Sequence, residues 1–286
     1  DVYKRQIQRR VKVHTIRNYI MAESLEQAWE LNQKGRNNII IGGNLWLKMG
    51  RRNIINAIDL SSLGLDKIEE DEGGFRIGCM ATLHDIETHE GLNKEFQNLF
   101  KEAVRHIVGV QFRNCATIGG SIFPKLGFSD VLTAFLACDT QVILYKKGEV
   151  PLREFIYIPT DNDILTHLYV KKDGRKTAYE SFRMTETDFP TITCAMAKTQ
   201  DGFETVLGAR PKHAEVVVDE VVADAFSSEE VSDYAKRVIG KLQYGSNIRG
   251  SEQYRKQLSK VLIGRCISRL TDCLLYTSPS PRDRTR

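Results

Sequence analysis

"CATIGGSIFPKLGFSD", residues 115–130, places Thr117 and Ser121 on either side of Gly119-Gly120 and then runs nine residues to an acid, Asp130. Glycine allows a positive φ and lets a second group approach where a Cβ would stand. Successive N–H groups in such a turn form a concave nest for an anion. A similar turn lies upstream, where "NNIIIGGNLWLK" (37–48) ends three isoleucines in Gly42-Gly43-Asn44. Two such nests could hold a pyrophosphate between them, while either alone reads equally well as a tight turn. Asp130 precedes the apolar run "VLTAFL", so it reads either as an acceptor for ligand hydroxyls or as a helix N-cap.

The rest of the sequence removes the commoner alternatives. No G-x-G-x-x-G follows a strand pattern, and Gly240-Lys241 runs into Leu242 where a P-loop needs Ser or Thr. Neither a Rossmann domain nor a P-loop NTPase is supported. Cys79, Cys115, Cys138, Cys194, Cys266 and Cys273 include no pair at the two-residue gap of zinc or iron-sulfur ligands, so they read as free, mostly buried thiols in a reducing compartment. The six histidines are dispersed and read as core or surface residues rather than catalysts.

A chain of 286 residues with 41% apolar and 27% charged content has room for two or three small domains. No stretch approaches the roughly 20 apolar residues of a membrane span, and the N-terminal charges precede no apolar run. A cytoplasmic protein without a membrane span is expected. The net charge of +4 belongs to the ends: residues 1–10 carry four basic and one acidic residue, residues 271–286 three and two, and the remainder balances. A nucleic-acid partner is therefore not expected, since that requires a basic stripe on the folded body. Both ends also lack helical or strand periodicity, and the last carries a Ser-Pro repeat; 1–10 and 271–286 are read as non-native or disordered.

Between them, helix and strand signals alternate. "SLEQAWEL" opens on Ser24 with Gln27 as a capping box, and the triple isoleucine reads as a short, fully buried strand. "NAIDLSS" is a second strand, and "DKIEEDEGGFRIGCMA" two strands about an acidic turn. "LNKEFQNLFKEAVRHI" spaces Phe96, Leu99, Phe100, Ala103 and Ile107 as one amphipathic helix. "DVLTAFLACD" reads as a buried helix, "TQVILYKKGEVPL" as one strand and "DILTHLYVKK" as another. After about residue 175 come a hairpin at Asp201-Gly202 and two helices, one capped by Ser227 with Glu230. The other places Tyr254, Leu258, Val261, Leu262 and Cys266 on one face.

These segments together resemble the FAD-binding subunit of molybdenum hydroxylases, the family of xanthine dehydrogenase and carbon monoxide dehydrogenase medium subunits. The likeness is carried by "NNIIIGGNLWLK", by Arg113, Asn114, Thr117, Gly119, Gly120 and Asp130 in order and spacing, and by "FRMTETDFPTITCAMAK" and "RGSEQYRKQL" downstream. It implies an α+β fold: a two-part FAD-binding domain of the vanillyl-alcohol-oxidase/PCMH type over 11–175, then a small sheet-plus-helices C-terminal domain over 176–270. It also implies a first dinucleotide loop of Asn38, Ile39, Ile40, Ile41, Gly42, Gly43, Asn44 and Leu45, and a second of Ala116, Thr117, Ile118, Gly119, Gly120 and Ser121. Asp130 is placed at the adenosine ribose, Ile164 near the adenine and Tyr179 near the flavin. Asn44 and Ser121 depart from the usual residues of the two motifs, so individual hydrogen bonds there are open.

By the same resemblance, FAD receives electrons from iron-sulfur clusters on a small partner subunit, fed by a molybdenum-cofactor large subunit, and passes them to an acceptor such as NAD. A self-contained flavin oxidase and a non-catalytic nucleotide-binding module are the alternatives. Arg113 reads equally as the partner of an acid that shapes the loop, and Trp46 as packing that shields the cofactor. No metal-ligand set and no catalytic side chain is expected on this chain.

Overall fold

The computed structural model describes residues 14–159, 161–220 and 226–271, so the terminal segments 1–10 and 271–286 lie outside the described residues except for Thr271, and Cys273 lies outside with them. The architecture is α+β, with three sheets. The first is parallel, in the order β1-β3-β2, from β1 (Thr15–Met21), β2 (Asn38–Ile41) and β3 (Asn53–Asp59). Helix α1 (Leu25–Gln33) makes the crossover, with Ser24 Oγ accepting from Gln27 N at 3.1 Å. The isoleucines of β2 alternate as a strand dictates: Ile41, with Ile39 beside it, packs towards Ile54 and Ala57, while Ile40 faces the main core. As an edge strand β2 is half-buried rather than fully buried.

The second sheet is antiparallel and five-stranded, β4-β5-β8-β6-β7, built from β4 (Ile68–Glu70), β5 (Gly74–Gly78), β6 (Thr140–Leu144), β7 (Gly148–Pro151) and β8 (Leu165–Lys171). The expected single strand at 140–152 is thus a hairpin, because Gly148 takes φ 72° and turns the chain back. Helices α2 (Leu45–Lys48), α3 (Leu83–Thr88), α4 (Glu90–Glu95), α5 (Leu99–Val104), α6 (Val110–Arg113), α7 (Ile118–Ile122), α8 (Asp130–Leu136) and α9 (Leu152–Phe155) fill in around it. The single amphipathic helix expected at 92–107 is broken between α4 and α5, where Gln97 and Asn98 take φ 46° and 63°. Tertiary bonds outweigh the helical pattern there: the Asn93 amide caps Lys101 N and binds the carbonyl of Ile86, while Gln97 Oε1 accepts from Thr177 N. The apolar spacing is still used, since Phe96, Leu99, Phe100 and Ala103 are all buried.

The third sheet, β12-β11-β10-β9, comprises β9 (Lys176–Phe182), β10 (Ile192–Thr199), β11 (Gly202–Gly208) and β12 (Glu215–Asp219). It is covered by α10 (Ser228–Gly240) and α11 (Glu252–Leu270). Period-2 alternation divides its side chains between two cores. Ile192, Cys194, Met196, Phe203 and Leu207 meet the helices, while Tyr179, Ala195 and Val206 point into the core of the preceding sheets. Helix α8 lies against that second face, and Thr133 Oγ1 reaches Thr193 Oγ1 at 2.9 Å. On α11 the buried face is rotated from the expected one. Leu262 and Cys266 are buried as read, but Tyr254 and Val261 are exposed, and Arg255 and Ser259 lie inside, where the Arg255 guanidinium binds the carbonyls of Thr191 and Ala209. Among the described residues no helix is long and apolar enough to cross a membrane.

Candidate functional site

The two Gly-Gly segments, separated by more than seventy residues, touch. A Cβ on Gly43 would stand 1.6 Å from the carbonyl oxygen of Cys115, and one on Gly42 2.3 Å from Thr117 Oγ1. Neither glycine has a positive φ, so what they supply is close approach; the left-handed residue of this turn is Asn44, at φ 56°. Among the described residues, the N–H groups of Gly43 and Asn44 donate to no backbone or side-chain acceptor of the chain, and Asn44 Oδ1 is buried without a partner. Because an unpaired buried polar atom is costly, this loop is a cradle with unspent donors and one unspent acceptor.

The second segment is built differently. It is a short helix, α7, with Thr117 as N-cap, not a Gly-Gly turn. Its N–H groups are already bonded: Ile118 to Ala81 O, Gly119 to Cys79 O, Gly120 to Thr117 Oγ1 and Ser121 to Thr117 O. The expected nest of free donors is therefore found only in the first loop, because the second spends its donors on the Cys79–Ala81 segment that follows β5 and on its own first turn. Cys79 and Ala81 fix its place, as does the bridge between Thr82 and Thr117.

Arg113 takes the structural option. Its guanidinium grips Glu87 at 2.7 and 3.0 Å and binds the carbonyls of Arg105 and Ile107, with both side chains nearly buried. Burial raises the Glu87 pKa, but the hydrogen bonds and charges of Arg113 and His84 outweigh it and leave the carboxyl below its ordinary value. A depressed carboxylate contributes stability that is complete above the unfolded pKa, about 4.3, and is lost as pH falls below it. The stability gap between wild type and Glu87→Gln should therefore be full at pH 7 and shrink below about pH 4.3. A gap in denaturant midpoint that is as wide at pH 3.5 as at pH 7 would refute the pairing.

Beside the two loops opens a cavity of about 230 Å³, walled by Trp46, Phe112, Phe128 and Phe189, with Ser121, Asp130 and Arg183 among its lining groups. Trp46 stands 5.7, 5.3 and 5.4 Å from the other three ring centroids. Asp130 is not the N-cap of α8; Ser129 is, accepting from Leu132 N at 3.0 Å. Instead Asp130 is almost wholly buried, its Oδ2 paired with Arg183 Nη2 at 2.6 Å and its Oδ1 accepting from the Tyr179 hydroxyl. Burial pushes the Asp130 carboxyl above its ordinary value against the pull of Arg183, and burial next to this carboxylate drives the Tyr179 phenol well up, so Tyr179 stays a donor. Burial also lowers the pKa of the cavity-lining His106, with Arg105 and Arg183 adding to it against the pull of Glu186 and Glu102.

The structure thus joins Gly42–Asn44 to Cys115–Thr117, and Asp130 to Tyr179. It does not bring every expected residue to the cavity. The Asn38 amide donates to Leu31 O and accepts from Asn56, and Ile39, Ile40 and Ile41 are packing residues of β2. Ile164 is buried ahead of β8, its N–H bound to Asp163 Oδ1 and its carbonyl to Tyr145 N. Leu45, Ala116 and Ile118 pack into the main core. Arg183, Phe128 and Phe189 escaped the sequence reading: they lie in irregular or strand-end segments where no period marks them, and only the "FRMTETDFP" likeness pointed to the region.

Comparison with known proteins identifies the family and the fold. The family described as the FAD binding domain in molybdopterin dehydrogenase matches residues 11–170. The glyceraldehyde dehydrogenase medium chain of Sulfolobus acidocaldarius is 26% identical over 267 residues, covering 86% of this chain and 95% of that protein. The 6-hydroxypseudooxynicotine dehydrogenase complex subunit alpha of Paenarthrobacter nicotinovorans is 24% identical over 282 residues, covering 88% and 93%. Among solved structures, carbon monoxide dehydrogenase from Hydrogenophaga pseudoflava superposes with a TM-score of 0.78 at 21% identity, covering 88% of this chain and 96% of that one, a likeness of fold.

Proposed function

Because the chain belongs to the family of FAD binding domains in molybdopterin dehydrogenases, and is thereby an FAD-binding oxidoreductase subunit, we infer that it is the flavin-bearing electron-transfer component of a molybdenum hydroxylase complex. The observation that carries this reading is the apposition of the Gly42–Asn44 cradle and the Cys115–Ser121 segment at the edge of an aromatic-walled cavity. The free N–H groups of Gly43 and Asn44 hold the pyrophosphate, the second segment supports that loop from behind, and the aromatic walls exclude water from the planar part of the cofactor. Asp130 serves the cofactor through Arg183 and Tyr179, since each of its oxygens already has a partner. Bound FAD supplies the two-electron chemistry, and the protein supplies binding, orientation and field.

The relatives named as a medium chain and as a complex subunit support partner subunits for this chain; the proposal is a molybdenum-cofactor large subunit and an iron-sulfur small subunit, with NAD or another acceptor taking the electrons. Co-purification followed by metal analysis tests the assembly: molybdenum and iron should appear only in partner bands. Reduction of the flavin by a hydroxylase substrate with the isolated chain would instead identify a self-contained oxidase. FAD should also be held without a covalent bond, since neither Gly42–Asn44 nor Ala116–Ser121 contains His or Cys, and Cys115 meets the cradle through its backbone carbonyl. Acid precipitation should leave the flavin in the supernatant, and colour in the pellet refutes this.

A further inference from the structure

Among the described residues, the Asp130–Arg183 pair is unlike the other ion pairs in bordering the cavity while being almost completely buried. Arg183 is also incompletely used. Its Nη2 meets Asp130 and its Nη1 donates to Ser181 Oγ at 2.5 Å, but Nε is buried with no hydrogen-bond partner. A guanidinium is always charged and presents its donors in a rigid fork, and because Arg183 is among the residues lining the cavity its charge acts on whatever occupies it. The cavity, about 230 Å³ with three rings gathered around Trp46, offers aromatic, largely apolar walls to a flat ring system. It lies within a few residues of the pyrophosphate cradle on the chain, Trp46 following Asn44 by two.

The geometry points to Arg183 as the residue that contacts the redox-active ring of FAD and sets its electron affinity, with Asp130 holding and moderating its charge. This rests on the FAD reading above and assigns one end of the cofactor to the cavity. A flavin ring gains electron density on reduction, so a fixed cation beside it in a water-poor site binds the reduced form more tightly than the oxidised one. The buried carboxylate behind the cation opposes that preference, and the two residues therefore act on the flavin with opposite signs. A role confined to holding the fold has no such sign.

The test uses the full chain loaded with FAD, measuring affinity for oxidised FAD by titration and the two-electron midpoint potential by anaerobic dye equilibration. In Arg183→Gln, affinity for reduced FAD should fall about tenfold more than affinity for oxidised FAD, a drop of about 30 mV for a two-electron couple. Arg183→Lys should restore most of it. Asp130→Asn, which keeps the size of the side chain, should move the potential upward. If Arg183→Gln retains no FAD, the direction of the Asp130→Asn shift decides. An unchanged potential, or shifts of the same sign in Arg183→Gln and Asp130→Asn, overturns the inference, and would place Arg183 against the adenosine half or make it only the partner of Asp130. Failure of the wild-type chain to take up FAD would instead refute the functional reading on which the inference stands.

Discussion

Gly43→Val should deprive the protein of its FAD. A Cβ at this position lies 1.6 Å from the Cys115 carbonyl oxygen and 2.4 Å from its carbon, both backbone atoms that no rotamer change can move aside. The two loops must part, and the cradle formed by the N–H groups of Gly43 and Asn44 loses its backing. Affinity for FAD should fall at least a hundredfold, about 2.8 kcal/mol, while the third sheet and the helices that cover it, whose core contains no residue of either loop, persist. Gly35→Val is the control, because a Cβ there meets nothing within 4 Å. At Gly120 the nearest atom is a side-chain hydroxyl, Thr117 Oγ1 at 3.1 Å, so substitution there should act more weakly than at Gly43. The flavin-to-protein absorbance ratio after purification reads the result; a full complement of FAD in Gly43→Val would show that loop apposition is not what binds the cofactor.

Asp130→Ala should destabilise the fold before it affects any ligand. Read from the sequence, this acid is a hydroxyl acceptor whose loss weakens FAD binding by about 1 to 3 kcal/mol. In the structure it is the buried counterion of Arg183 and the acceptor of Tyr179, joining α8 to β9 and to the residue that follows it. Removing one member of a buried pair leaves the other charge uncompensated, at a cost of about 3 to 5 kcal/mol. Denaturant unfolding of the FAD-free protein measures it, and Asp130→Ala combined with Arg183→Met should recover part of the loss. A single variant within about 1 kcal/mol of wild type would mean that the pair is solvated in solution.

Local chemistry was enough to reveal much of the fold. Ser24 and Ser227 cap the helices they were expected to cap, the isoleucines before Gly42 form a strand, and the turn at Asp201-Gly202 joins β10 to β11. Each of these depends on residues a few positions apart, and so does the order of the motif from Arg113 to Asp130, on which the family likeness rests. Other features were illegible for the same reason. The break at Gln97-Asn98 is decided by Thr177, eighty positions away, and the hidden face of α11 by carbonyls of Thr191 and Ala209. The site divides in the same way. By itself the sequence determined that two glycine-rich segments and an acid belong together; only the tertiary structure decided that the first segment keeps its N–H groups free, that the second spends them on the carbonyls of Cys79 and Ala81 and on its own N-cap, and that Asp130 faces Arg183. Backbone conformation is set by neighbours, whereas the partner of a buried polar group is whichever one the packing of distant elements delivers to it.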